Sequence, residues 1–118
     1  MKIQLTEEFT FESAHRILNE QKQYGELHGH SHKVFVTISG EVLFPAGWII
    51  DQHEFRQIVS RIIKRLDHRY LNEILDITTA EGIAIYLFKE IKISFSFKKV
   101  NLESVKVCKT TAQAEVSR

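Results

Sequence analysis

The chain has 118 residues, of which 43% are hydrophobic and 26% charged, and its formal net charge is +1. This composition is typical of an ordinary globular domain, and the near-neutral charge argues against a nucleic-acid partner. The single cysteine, Cys108, excludes an internal disulfide, and no apolar run reaches membrane-spanning length. We expect one domain over residues 1–118, located in the cytoplasm, without a nucleic-acid or membrane partner.

Two segments in the first half of the chain alternate polar and apolar residues, as β-strands do. The first covers residues 2–14, and the second covers residues 30–44 and ends at the turn signal Pro45-Ala46-Gly47. A polar stretch without periodicity, residues 19–25, separates them. We expect the two strands to pair antiparallel.

Two helices are predicted next. Asp51 and Glu54 have the spacing of an N-terminal capping box, and apolar residues then recur every three or four positions as far as Leu66. Thr78 and Glu81 form a second capping-box pattern, followed by a helix that is apolar over a wide arc. Two further strands, over 102–109 and 112–117, complete the order β-β-α-α-β-β. Four strands with exposed edges favour closure with neighbouring subunits.

Three histidines suggest a metal site. Residues two apart in a strand point to the same face, so His28 and His30 direct two imidazoles the same way, with only Gly29 between them. His15, after the first strand, is the candidate third ligand. Three neutral nitrogen ligands with one open position are typical of a catalytic zinc site. The alternative is that these are ordinary strand histidines. His32 continues the alternation, either as a partner that orients a ligand or as a partly exposed strand histidine.

Five blocks of the chain, in this order, resemble the 6-pyruvoyl-tetrahydropterin synthase / 6-carboxytetrahydropterin synthase family. The blocks are Phe11-Glu12-Ser13-Ala14-His15, Leu27-His28-Gly29-His30, Gly47-Trp48-Ile49-Ile50-Asp51, Leu66-Asp67-His68-Arg69-Tyr70-Leu71-Asn72 and Thr79-Ala80-Glu81. The resemblance implies an α+β tunnelling fold, in which a four-stranded antiparallel sheet carries two helices on one face. It also implies that three subunits join their sheets into a barrel, that two trimers stack into a hexamer, and that active sites lie between subunits.

The same resemblance implies a zinc-dependent lyase without an organic cofactor. The usual family substrate is dihydroneopterin triphosphate, from which members eliminate triphosphate and rearrange or cleave the side chain; the bacterial branch serves queuosine synthesis. His15, His28 and His30 would hold the zinc ion. Asp67 and His68 would form the acid–base pair, the alternative being a polar helix terminus.

Thr79 and Glu81 are candidates for contact with the pterin ring, although a capping box with Thr78 also explains Glu81. Two positions depart from the family pattern. Tyr24 stands where the family has a catalytic cysteine, and an unperturbed phenol has a pKa near ~10; Glu26 is a second candidate for the missing base. Lys109 stands where the family has a glutamate that accepts hydrogen bonds from the pterin, and lysine has no acceptor.

Three interpretations therefore remain open. The chain is a pterin synthase of unusual type, a divergent zinc lyase acting on a related heterocycle, or a non-catalytic zinc-binding homo-oligomer. Retention of Asp67-His68 favours an enzyme, and Lys109 favours a changed substrate that presents a carbonyl or anionic edge.

Overall fold

The computed structural model describes residues 1–118. Its elements are β1 (Lys2–His15), β2 (His28–Glu41), α1 (Gln52–Ile63), β3 (Arg69–Tyr70), α2 (Ala80–Ser94), β4 (Val100–Lys109) and β5 (Ala112–Ser117), with a 3-10 turn over Leu71–Glu73. The predicted order of four strands and two helices is confirmed. Neither helix is long and apolar enough to cross a membrane.

The strands form one sheet in the order β3-β1-β2-β4-β5. The pairs β1–β2, β2–β4 and β4–β5 are antiparallel, and β3 runs parallel to β1. The prediction of a purely antiparallel, four-stranded sheet was therefore wrong by one short strand. The two residues of β3 are too few to show periodicity. They are held in place by the chain just before them, where the His68 N–H donates to the Glu12 carbonyl at 2.6 Å.

One face of the sheet carries the core. Phe9 and Phe11 of β1, Val34 and Val36 of β2 and Val107 of β4 are at most 4% exposed. Both helices cover this face, with the buried apolar stripe of α1 and the broader apolar surface of α2 packed against it. Burial of this face contributes most of the favourable free energy of folding. The outer edge of β5 and most of the outer edge of β1 remain free.

The helix starts agree with the predicted caps in one case and differ in the other. Asp51 is the N-cap of α1, and its carboxylate accepts the His53 N–H at 2.9 Å. The N-cap of α2 is Thr79, whose hydroxyl accepts the Gly82 N–H at 3.2 Å, so the capping box between Thr78 and Glu81 was wrong. The Thr78 hydroxyl instead donates to the Arg16 carbonyl at 3.4 Å, and the Thr78 carbonyl accepts from His15 Nδ1.

Gly82 allows α2 to lie close to the segment before it. A Cβ at this position would meet the carbonyl oxygen of Ile77 and stand 2.6 Å from its Cγ2. The backbone at 77–78 is therefore held tightly against the first turn of the helix.

We predict that Gly82→Ala destabilises the protein by about 2 kcal/mol or more. Helix propensity alone would favour alanine by about 1 kcal/mol, but the clash is with backbone and cannot be relieved by a rotamer change. Urea unfolding followed by circular dichroism measures the difference. The control is Gly25→Ala, whose Cβ would lie 3.6 Å from the Ile17 carbonyl and should change stability little. Equal or greater stability of Gly82→Ala would contradict the close packing.

Candidate metal centre and acid–base pair

The register of β1 against β2 brings three imidazoles together. His15 lies directly opposite His28, and Ser13 lies opposite His30. Directly opposed residues of an antiparallel pair share a face, so all three histidines project from the core face at one end of the sheet. One ring nitrogen from each lies within 4.8 Å of the others. The structure therefore brings together the three histidines predicted as metal ligands, which we call the histidine triad.

Backbone carbonyls orient two rings of the triad. His15 Nδ1 lies 2.7 Å from the Thr78 carbonyl, and His28 Nδ1 lies 2.9 Å from the Glu26 carbonyl. A carbonyl only accepts, so each Nδ1 carries the proton and each Nε2 presents a lone pair. This arrangement is that of metal-binding histidines, whose second nitrogen usually donates to such a partner.

The distance between the two Nε2 atoms is 3.0 Å. Two lone pairs this close repel each other unless a cation lies between them. A tetrahedral zinc ion with Zn–N bonds of about 2.0–2.1 Å would hold two ligand nitrogens roughly 3.3 Å apart. The positions of the three imidazoles therefore fit a zinc ion.

The triad is anchored in the core and open at its outer side. His15 is 1% exposed, His30 is half-buried and His28 is exposed. Burial lowers the pKa of His15 and of His30, and the nearby charge of Lys109 lowers both further. Both effects favour the neutral form of the two rings, which is the form that binds a metal ion.

His32 is buried rather than partly exposed, so that expectation was wrong. Its ring stacks on Phe11 with centroids 4.5 Å apart, because the two residues face each other across β1 and β2 on the core face. Its Nδ1 lies 3.4 Å from the Ser13 hydroxyl, and its Nε2 has no partner. Burial, with the charges of neighbouring groups, lowers the pKa of His32 to about 4. An unpartnered buried nitrogen costs about 1–3 kcal/mol.

Lys109 lies directly opposite His32, at the end of β4, on the same face as the triad. It is half-buried, and its charge acts on His15, His30 and His32, lowering the pKa of each. The predicted proximity of Lys109 to the site is consistent with this placement, while its contact with substrate stays a prediction.

Asp67 and His68, the predicted acid–base pair, lie beside the outer edge of β1, directly before β3. His68 Nδ1 lies 3.0 Å from Asp67 Oδ1, which also accepts the Glu12 N–H at 2.9 Å. That backbone hydrogen bond is the main cause of the lowered pKa of the Asp67 carboxyl. His68 adopts a φ of 57°, an uncommon conformation for a non-glycine residue, and its side chain is 77% exposed.

No hydrogen bond joins His68 to the triad within the chain. His68 lines an open cleft of about 480 Å³ with Glu12, Ser31 and Arg69, and His30 reaches the same cleft. Glu12 lies between Phe11 and Ser13 in β1 and so points to the opposite face of the sheet from the triad. The pair and the triad therefore approach one another only around this end of the sheet.

The remaining candidates lie in two other depressions. Tyr24 is 56% exposed and lines a cavity of about 230 Å³ together with Thr78 and Thr79. Glu81 lines a separate groove against β5. Thr79 serves as a helix cap. The ring contacts predicted for Thr79 and Glu81, and the catalytic role predicted for Tyr24, stay predictions. The carbonyls of Thr78 and Glu26 are the site groups that sequence reasoning missed, because any residue type supplies a carbonyl.

A family model described as 6-pyruvoyl tetrahydropterin synthase matches residues 4–117. The Pyrococcus furiosus "Dihydroneopterin monophosphate aldolase" is 34% identical over 92 residues, which cover 78% of this chain and 77% of that protein. The Synechocystis "6-carboxy-5,6,7,8-tetrahydropterin synthase" is 30% identical over 114 residues, covering 91% and 86%. The structure of Caenorhabditis elegans 6-pyruvoyl tetrahydropterin synthase has the same fold, with a TM-score of 0.87 over 100% and 96% of the two chains at 23% identity.

We predict that the metal-free protein loses stability as the pH falls from 6.5 towards 4. The folded pKa of His32 is about 4 against an ordinary value of 6.5, so the unfolded chain binds the proton more tightly. The contribution is fully present above pH 6.5 and is lost on acidification. Urea unfolding at a series of pH values measures the free energy of unfolding.

His32→Phe keeps a ring against Phe11 and should reduce the loss of stability between pH 6.5 and 4. The control is His53→Gln, an exposed helix position that should follow the wild-type curve. An identical pH dependence in His32→Phe and wild type would show that His32 does not carry the effect.

Proposed function

Because the chain belongs to the 6-pyruvoyl tetrahydropterin synthase family, we propose that it is a zinc-dependent lyase acting on the side chain of a reduced pterin phosphate. The observation that carries the proposal is the histidine triad, whose ring nitrogens converge with tautomers set by the Thr78 and Glu26 carbonyls. Zinc bound there would polarise the side-chain oxygens of the substrate. His15, His28 and His30 would hold it.

His68 is proposed to carry the proton. With Nδ1–H donating to Asp67, its Nε2 is free to accept a proton, and imidazole exchanges protons readily near neutral pH. Asp67 would hold the ring and stabilise its protonated form, since its own carboxylate is stabilised by the Glu12 N–H. The exposure of His68 leaves it available to a substrate in the cleft.

We propose that each active site combines the triad of one subunit with Asp67-His68 of a neighbour. The pair lies on the β1–β3 side of the sheet, and the free edge of β5 lies on the other. Pairing β5 of one copy with the β1 edge of the next would close three sheets into a ring and remove the free edges. Stacking of two such trimers into a hexamer remains part of the same proposal.

Carbon–carbon cleavage is the reaction that the side chains favour. Tyr24 supplies no thiolate, and removal of a proton from carbon demands a stronger base than removal from a hydroxyl. In the proposed step, His68 takes the proton of the C2′ hydroxyl and the C1′–C2′ bond breaks. The electron pair passes into the ring imine C6=N5, and C1′ is then protonated. The name of the Pyrococcus furiosus relative, an aldolase, supports this choice.

The alternatives are a changed heterocyclic substrate and a non-catalytic zinc-binding homo-oligomer. Lys109 is the specific observation that favours a changed substrate, because its ammonium cannot accept hydrogen bonds from a pterin. We also propose that Thr79, Glu81 and Lys109 contact the substrate. Tyr24 or Glu26 is proposed as a base.

We predict one bound zinc per subunit and conversion of dihydroneopterin monophosphate into 6-hydroxymethyl-7,8-dihydropterin and glycolaldehyde phosphate. Chelation or His28→Ala should lower the rate more than ~100-fold, since a ligand is lost. His53→Ala, at an exposed histidine of α1, is the matched control and should keep both zinc and activity. Metal analysis and chromatography of the products give the readouts.

Dihydroneopterin triphosphate is run beside the monophosphate, and we expect weak or no turnover of it. Formation of 6-carboxytetrahydropterin or a 6-pyruvoyl product would show synthase chemistry instead of cleavage. A zinc-bound protein that converts neither ester would favour the non-catalytic alternative.

We predict that inactive His28→Ala and inactive His68→Ala subunits restore activity when unfolded, mixed in equal amounts and refolded together. A site built from two neighbouring subunits would be intact in about one quarter of cases in a randomly mixed ring. Activity per total subunit should therefore reach about a quarter of that of wild type treated identically. Absence of recovery, with the mixed oligomer present by native mass spectrometry, would place the pair and the triad of one site in the same subunit.

A further inference from the structure

Lys109 is a half-buried lysine whose ammonium group has no acidic partner. Three other lysines of the chain pair with glutamates. The other half-buried lysine of β4, Lys106, lies over the ring of Phe35 on the opposite face of the strand. Lys109 instead lies close enough to His15, His30 and His32 for its charge to act on them. Imidazoles bound to a metal ion carry no negative charge that would compensate the ammonium group.

A second unsatisfied group lies beside it. His32 is directly opposite Lys109 in the β2–β4 pairing, at a distance that brings the two Cβ atoms to roughly 4.5–5.5 Å. Its ring is 1% exposed and its Nε2 has no hydrogen-bond partner. The Ser13 hydroxyl at its other nitrogen can donate or accept, and in the tautomer in which Ser13 donates to Nδ1, Nε2 carries the ring hydrogen and is a donor. A positive charge and a buried, unpartnered ring nitrogen thus lie side by side next to the triad.

We propose that Lys109 and His32 form a subsite for an oxyanion, and that the phosphate ester of the substrate occupies it. The identity of the ester rests on the proposed function, whereas the subsite itself rests on these two residues. An oxyanion accepts hydrogen bonds from the ammonium group and from Nε2–H, and its charge compensates a half-buried cation. A neutral carbonyl oxygen would accept the same bonds but leave the charge uncompensated.

The subsite makes Lys109 a specificity-determining residue. Its position favours phosphorylated over unphosphorylated side chains, and it does so through charge. Arginine at the same position should preserve the preference, because it carries the same charge and a larger set of donors.

The test compares neopterin with neopterin monophosphate, two oxidised and unreactive analogues, binding to the zinc-loaded protein. We expect the phosphate ester to bind wild type about tenfold more tightly, as charge-assisted hydrogen bonds predict. Lys109→Met should reduce the ratio to about one, Lys109→Glu should invert it, and Lys109→Arg should keep it. Lys106→Met, on the opposite face of the same strand, is the matched control and should keep the wild-type ratio. An unchanged ratio in Lys109→Met would overturn the proposal.

A second measurement separates the subsite from the pterin. Inorganic phosphate is titrated into metal-free protein, and the shift in Tm is recorded for wild type, Lys109→Met and Lys106→Met. Stabilisation of wild type and of Lys106→Met, with none for Lys109→Met, supports the subsite. This holds even if neither neopterin nor neopterin monophosphate binds, because failure of both to bind counts against the proposed function alone. Equal shifts in all three proteins, or none in any, would overturn the oxyanion subsite. Circular dichroism of each variant verifies that it is folded.

Discussion

The pairing register of β1 and β2 is the constraint on which the site depends. The two strands pair along fourteen positions, from Lys2 opposite Glu41 to His15 opposite His28. Side chains alternate along a strand, so a slip of one residue would move His28 and His30 to the other face of the sheet. The buried pairs Phe9–Val34 and Phe11–His32 lie in the same register and on the same face as the triad. The packing that stabilises the core therefore also determines the metal centre.

The two faces of the sheet divide the candidate chemistry. The triad and Lys109 lie on the core face, where burial keeps His15 neutral and close to its carbonyl partner. Asp67 and His68 bond to the Glu12 backbone at the edge of β1, and His68 lines a cleft with Glu12 and Ser31, whose side chains point to the other face. A metal-polarised oxygen and a proton acceptor must meet at one substrate, so this separation is the physical reason for proposing that neighbouring subunits contribute to each site.

The electrostatic balance around the triad is unusual for a place that would hold a divalent cation. Lys109 adds a positive charge next to three neutral imidazoles, and it has no carboxylate partner of its own. A bound anion would offset the charges of Lys109 and of the metal ion. We therefore propose that the ligand, rather than a carboxylate of the protein, supplies the negative charge. The charge at position 109 is thus connected to the kind of substrate that we propose for this chain.

The sequence by itself determined the elements that have a strong period or a side-chain signature. Alternation predicted β1, β2 and β4, the three- and four-residue spacing predicted α1, a wide apolar arc predicted α2, and the His28-Gly29-His30 spacing predicted two ligands on one face. Tertiary structure alone decided β3, the cap at Thr79 and the burial of His32. It also placed the Thr78 carbonyl 2.7 Å from His15, 63 residues earlier in the chain. Backbone carbonyls and a two-residue strand leave no pattern in a sequence, because their positions follow from how distant elements pack.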